Sequence, residues 1–156
     1  MSDFVFFFAS SVTSLFEWKF NRKYTYRAVL ILGATSVFDA GVEEELKNIC
    51  LDIELRYELK FLEIGSDQDH VHFLVQSVPM YSVKKIVQMI KSLTAREIFR
   101  RCPRVKKKLW GGDFWSDGYF ASTVGKHGDE AMIGNYVKGQ GGQYEKLYSD
   151  HQLMLF

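Results

Sequence analysis

Two imidazoles one residue apart, in His70-Val71-His72, are the residues whose type and spacing most directly suggest chemistry. In a β-strand, side chains at i and i+2 project to the same face, so the two rings stand side by side while Val71 and Phe73 turn toward a core. Such a pair can offer two nitrogens to one divalent cation. The structural alternative is a pair of exposed histidines with no ligand. Tyr136 and Gln140 form the second set. On a helix, residues four apart share a face, with Cβ atoms roughly 5–6 Å apart. A phenol and an amide so placed can supply a nucleophile and a third metal ligand from one turn. A tyrosine on an amphipathic helix is otherwise an ordinary packing residue.

These residues need elements to position them. Val12 to Phe20 and Tyr24 to Leu32 are rich in aromatic and β-branched residues and read as extended. Gly41 to Tyr57 carries Val42, Leu46, Ile49, Cys50 and Ile53 at helical spacing, with Glu43, Glu44 and Glu45 suiting the positive helix start. Leu59 to Gly65 and His70 to Gln76 read as strands joined by the turn Ser66-Asp67-Gln68-Asp69. Ser82 is the expected cap of a second helix whose Val83, Ile86, Val87, Ile90 and Leu93 line one side. That helix should end near Cys102-Pro103, because proline disfavours helix at the residue before it. Tyr119 to Val124 reads as a strand and Asp129 to Gln140 as a last helix, weakened by Gly134 and Gly139. The order implies an α+β fold, a split βαβ (ferredoxin-like, RRM-like) sandwich: one antiparallel sheet with helices on one face, plus a C-terminal helix.

At 156 residues, with no internal repeat or linker-like tract, the chain fits one domain, expected over residues 12–145. Residues 1–11 read as an N-terminal leader and 146–156 as a C-terminal tail. The run Phe4 to Phe8 lacks the basic lead-in and small-residue cleavage site of a signal peptide, and no segment is long enough to span a membrane. Cys50 and Cys102 have no metal-type spacing and are too few for a disulfide framework, so a cytoplasmic location is expected. A net charge of +1 conceals a strong asymmetry. Ten acids fall between Asp39 and Asp69, whereas Lys84, Lys85, Lys91, Arg96, Arg100, Arg101, Arg104, Lys106, Lys107 and Lys108 are opposed only by Glu97. A basic segment of this kind is the electrostatic footprint of phosphate binding, or else a solvated helix face followed by a basic loop.

Several motifs in order carry a family resemblance. They are Asp69 to Val75 around the histidines, Tyr81-Ser82-Val83, Lys91-Ser92-Leu93-Thr94-Ala95-Arg96, Leu109-Trp110-Gly111-Gly112, Phe114 to Phe120, Ser122-Thr123-Val124-Gly125, and Asn135-Tyr136-Val137 with Gln140. Together they resemble the single-tyrosine HUH (histidine, hydrophobic, histidine) transposases of the insertion-sequence 200/605 group, from about Gly41 to Gln140. Phe16 to Phe20 and Arg22 to Arg27 fit that family's first strand only loosely.

The resemblance implies a reaction. His70, His72 and Gln140 would hold Mg²⁺ or Mn²⁺, and Tyr136 would attack a scissile phosphate of single-stranded DNA to give a 5′-phosphotyrosine. It implies DNA hairpins at element ends as the partner, and a homodimer in which the tyrosine helix can be exchanged between subunits across Gly125 to Gly128. Lys84, Lys85, Lys91, Arg96, Arg100, Arg104, Lys106, Lys107 and Lys108 would then contact the DNA backbone. Trp110, Phe114 and Trp115 would stack on bases or, for most of them, fill core. The alternative reading is a non-catalytic relative that binds hairpin or single-stranded DNA on the same fold. Finally, Gln152-Leu153-Met154-Leu155-Phe156 resembles the short peptide by which bacterial proteins dock on the replication sliding clamp. Gln152, Leu153, Leu155 and Phe156 are its candidate contacts.

Overall fold

A computed structural model describes residues 26–35, 38–67, 69–110, 112–124 and 145–149. The sheet has five strands, with continuous apolar runs in its centre: β1 (Tyr26–Ala34), β2 (Leu59–Asp67), β3 (His70–Ser77), β4 (Trp115–Val124) and β5 (Glu145–Ser149). The strand order is β4-β1-β3-β2-β5 with every neighbouring pair antiparallel. β3 therefore runs between β1 and β2, as the split βαβ reading requires. Pairing of β2 with β3 continues to Asp67 opposite His70. Ser66 and Asp67, expected in the turn, are strand residues.

The helices are α1 (Ala40–Glu54), α2 (Val83–Arg101) and the short α3 (Pro103–Lys108). Asp39 caps α1 by accepting from the Val42 N–H at 3.0 Å, and Ser82 caps α2 through the Lys85 N–H at 3.2 Å. Arg101 is the last residue of α2, as Pro103 dictates. The same proline then opens α3 at a first-turn position, where a missing N–H costs nothing. The stretch read as a basic loop is thus a helical turn.

One face of the sheet carries Leu30 and Leu32 of β1, Phe61 and Ile64 of β2, and Val71, Phe73 and Val75 of β3. These form one buried cluster with Leu46, Ile49 and Ile53 of α1, Ile86, Ile90 and Ile98 of α2, and Val105 of α3. Full burial of side chains this size contributes about 1.5–3 kcal/mol each, which is what binds the helices to the sheet. Phe114 and Trp115 close the cluster beside β4, their rings edge-on at 4.9 Å. Trp115 Nε1 donates to Thr94 Oγ1 at 2.9 Å, and Thr94 Oγ1 donates to the Ile90 carbonyl at 2.6 Å, tying β4 to α2 inside the core.

Two differences from the sequence reading stand out. β4 begins at Trp115 rather than Tyr119 and runs through Ser116-Asp117-Gly118. β5 runs from Glu145, the expected end of the domain, into the segment read as tail and completes the sheet by pairing with β2. The expected strand Val12 to Phe20, the leader 1–11, the glycine connection 125–128 and the helix Asp129 to Gln140 lie outside the described residues.

Candidate functional site

β3 is the central strand, and near its start the side chains alternate as its sequence dictates. Val71 and Phe73 are fully buried against the helix layer, so His70 and His72 face the opposite side of the sheet. His72 is buried at 6 % exposure, whereas about half of the His70 side chain is exposed. Opposite His72 stand Ile31 and Gly65, and opposite His70 stand Gly33 and Asp67. Gly65 leaves that side of the His72 ring without a cross-strand side chain, while beside His70 the space over Gly33 is taken by the Ser116 side chain.

The electrostatics favour a neutral His72 ring. Burial pushes the His72 pKa below the ordinary imidazole value, with the His70 ring adding to the effect and the Asp67 and Glu63 carboxylates opposing it. The Asp69 carboxylate contacts His70 Nδ1. With the Nδ1 proton donated to Asp69, His70 Nε2 presents its lone pair, the arrangement by which carboxylates orient metal-binding histidines. Glu63 is paired with Lys146 of β5 at 3.3 Å. Two imidazoles on one face, His70 held by Asp69 and His72 kept neutral by burial, are a donor set that fits a divalent cation. Among the described residues no group of three His, Cys, Asp or Glu side chains converges on one point. The expected third ligand Gln140 and the nucleophile Tyr136 lie outside the described residues, as do Gln152, Leu153, Leu155 and Phe156.

The basic residues divide into two groups. Lys84, Lys85, Arg96, Lys106, Lys107 and Lys108 are exposed. The others are engaged within the fold. Lys91 Nζ donates to the carbonyls of Ser116 (2.6 Å), Asp117 (3.2 Å) and Gly118 (3.0 Å), bracing the start of β4. Burial lowers the Lys91 pKa despite nearby Asp117. Arg104 grips the Asp39 cap of α1 with both guanidinium nitrogens, at 2.6 and 2.8 Å, and that bond holds the Asp39 carboxyl down at about 2. Arg100 pairs with Glu97 at 2.7 Å, and Arg101 bridges to Asp52 at 2.5 Å and Glu45 at 3.4 Å on α1. Part of the basic asymmetry seen in the sequence is therefore balanced by the acidic stretch folded against it.

A groove of about 190 Å³ between α1 and α2, lined by Asp52, Arg56, Tyr57, Arg96 and Arg100 among others, lies on the helix layer, across the sheet from the imidazoles. Sequence reasoning missed Asp69 as the partner of His70 and Lys91 as a brace. Adjacency to the histidine was the available signal for the first. Nothing local marks the second, because its acceptors are backbone carbonyls 25 to 27 residues away. Of the three aromatics left between stacking and core, Phe114 and Trp115 are buried, while Trp110 is 95 % exposed.

Comparison with known proteins is consistent with this arrangement. The family model described as "Transposase IS200 like" matches residues 21–140. The ISDra2 transposase TnpA of Deinococcus radiodurans is 33% identical over 99 residues, which are 64% of this chain and 70% of that protein. A transposase for insertion sequence element IS200 from Salmonella typhimurium is 30% identical over 82 residues, 53% of each chain, so this chain's match spans about half the length of that relative. A crystal structure described as a transposase from Deinococcus radiodurans superimposes with a TM-score of 0.59 at 29% identity, covering 79% of this chain and 98% of that one. With the family model spanning most of its length, the chain belongs to the IS200-like transposases.

Proposed function

We propose that this protein cuts and rejoins single-stranded DNA at hairpin-marked element ends through a covalent 5′-phosphotyrosine on Tyr136. The observation that carries the reading is the pair of imidazoles on one face of the central strand, in a chain of this family. His70, His72 and the Gln140 side-chain oxygen would hold Mg²⁺ or Mn²⁺. When bound, such a cation polarises a phosphoryl oxygen and offsets the charge that builds there. Asp69 keeps the His70 ring turned, and burial favours the unprotonated form of His72.

In the cleavage step the Tyr136 phenol oxygen attacks phosphorus and gives up its proton. The bond from phosphorus to the 3′-oxygen breaks, and that oxygen takes a proton to leave a 3′-hydroxyl. In rejoining, a 3′-hydroxyl attacks the same phosphorus, the tyrosyl bond breaks, and the phenol is restored. Each step exchanges one phosphoester for another, so no nucleoside triphosphate is consumed. The exposed lysines of α2 and α3 supply contacts to the DNA backbone. A homodimer with the tyrosine helix exchanged across Gly125 to Gly128 would complete each site. Residues 152–156 would dock on the replication sliding clamp, which unchanged clamp binding on their deletion would rule out.

The test uses the full chain with labelled single-stranded oligonucleotides carrying candidate hairpin ends. A denaturation-resistant protein–DNA adduct is expected with Mg²⁺ or Mn²⁺, lost on chelation and lost in Tyr136→Phe while hairpin affinity persists. Hairpin binding with no adduct under any metal condition would leave a DNA-binding protein and refute the enzyme.

A further inference from the structure

Trp110 is held in a place that neither packing nor backbone preference explains. Its ring is 95 % exposed, although tryptophan gains more than any other side chain from burial. Its backbone has φ of 50°, the left-handed region in which a bulky residue is strained. The position follows the last turn of α3: the Trp110 N–H donates to the Lys107 carbonyl at 3.3 Å, and the Gly112 N–H to the Leu109 carbonyl at 2.7 Å. Helix ends of this kind ordinarily place glycine at the left-handed residue, and here two glycines come immediately after it. The turn is also firmly seated. Val105, one turn back, is 1 % exposed, Leu109 packs on the core, and Phe114 beyond the turn is 1 % exposed. A rigid base thus lifts a large aromatic face into solvent.

The surroundings indicate what that face meets. Lys106, Lys107 and Lys108 form the last turn of α3, two to four residues before Trp110. All three are exposed, and none has a carboxylate within 4 Å among the described residues, in contrast to neighbouring Arg100, Arg101 and Arg104. Asp113 is the one acid in the segment from Arg104 to Asp113. An unpaired nucleobase offers an apolar face to an aromatic ring and carries phosphates on either side for the lysines, whereas duplex DNA keeps its bases stacked. We infer that Trp110 is a stacking platform for an unpaired base, with Lys106, Lys107 and Lys108 gripping the flanking phosphates. This rests on the proposed function, for which it names one point of contact with the single-stranded substrate.

The test measures binding of the full chain to a labelled hairpin with a single-stranded tail, and to the same hairpin with abasic sites in that tail. Trp110→Ala should weaken binding of the intact tail about 5- to 150-fold and leave the abasic ligand unchanged, while Trp110→Phe keeps most of the affinity. Replacing the three lysines by alanine should weaken both ligands and lower the salt slope by about 2. Trp110→Gly should lose the same base-dependent affinity without lowering the thermal midpoint, since the strain disappears with the ring. Equal affinity of wild type and Trp110→Ala for the intact tail overturns the inference, as does equal weakening of both ligands. So does a Trp110→Ala chain whose only change is its oligomeric state. If the Tyr136 adduct still forms in those cases, the proposed function stands without this contact. A wild-type chain that binds neither ligand overturns both.

Discussion

Replacing Thr94 by valine asks whether one buried hydrogen bond ties β4 to α2. Threonine and valine have nearly the same shape, and Thr94 is fully buried, so the change opens no cavity. It removes the acceptor of the Trp115 Nε1–H, 2.9 Å away, at a ring only 5 % exposed. An indole N–H stranded in a core costs about 1–3 kcal/mol, partly offset because valine carries no hydroxyl to desolvate. The expected net loss is about 1–2 kcal/mol, roughly 3–6 °C in midpoint for a domain of this size. Urea unfolding of wild type, Thr94→Val, Trp115→Phe and the double variant completes the cycle. Phenylalanine has no N–H to strand, so in that background Thr94→Val should cost close to nothing. The same loss in both backgrounds would refute the hydrogen bond as the cause.

The remaining expectations concern charges that the fold has already committed. The Asp39 carboxyl, held at about 2 by Arg104 and the Val42 N–H, contributes stability in full above its unfolded value of 3.8 and loses it as pH falls toward 2. Its side chain is 43% exposed, and after discounting for solvent screening the contribution is about 1 kcal/mol. The stability gap between wild type and Asp39→Asn, followed by thermal melts, should therefore narrow below pH 4 and close near pH 2. Lys91→Met should lower stability by about 1–3 kcal/mol through three lost carbonyl bonds and leave the salt slope of DNA binding unchanged, because Lys91 reaches no phosphate. Ser82→Ala should cost about 1 kcal/mol in urea unfolding, for the loss of the α2 cap.

Features carried by local pattern were legible in the sequence. Ser82 precedes an apolar run of helical period and caps α2. His70 and His72 alternate with Val71 and Phe73, which settles their shared face before any fold is known. Features that depend on distant partners were not legible. Asp117 and Gly118 are poor strand formers that fall in the register shift between Tyr119 and Trp115, and the Lys91 ammonium satisfies their carbonyls. β5 is a short polar run whose pairing partner, β2, lies some 80 residues upstream. Pro103 was read as an ending only, whereas a proline also starts a helix. The basic stretch looked free because Asp39, Glu45 and Asp52, which neutralise Arg104 and Arg101, are 49 to 65 residues away. Trp110 was indistinguishable from Phe114 and Trp115 by type. Its exposure follows from the turn geometry after α3, which composition does not encode.

The most direct measurement is the anomalous scattering of Mn²⁺ in crystals of the full chain with a hairpin oligonucleotide carrying the uncleaved junction. A single peak should lie at coordination distance from His70 and His72 on β3 and from the Gln140 side-chain oxygen, with the Tyr136 oxygen, from either subunit, facing the scissile phosphorus. Manganese bound away from the two imidazoles, or a Tyr136 directed elsewhere in both subunits, would contradict the claim that strand and helix share one catalytic cation.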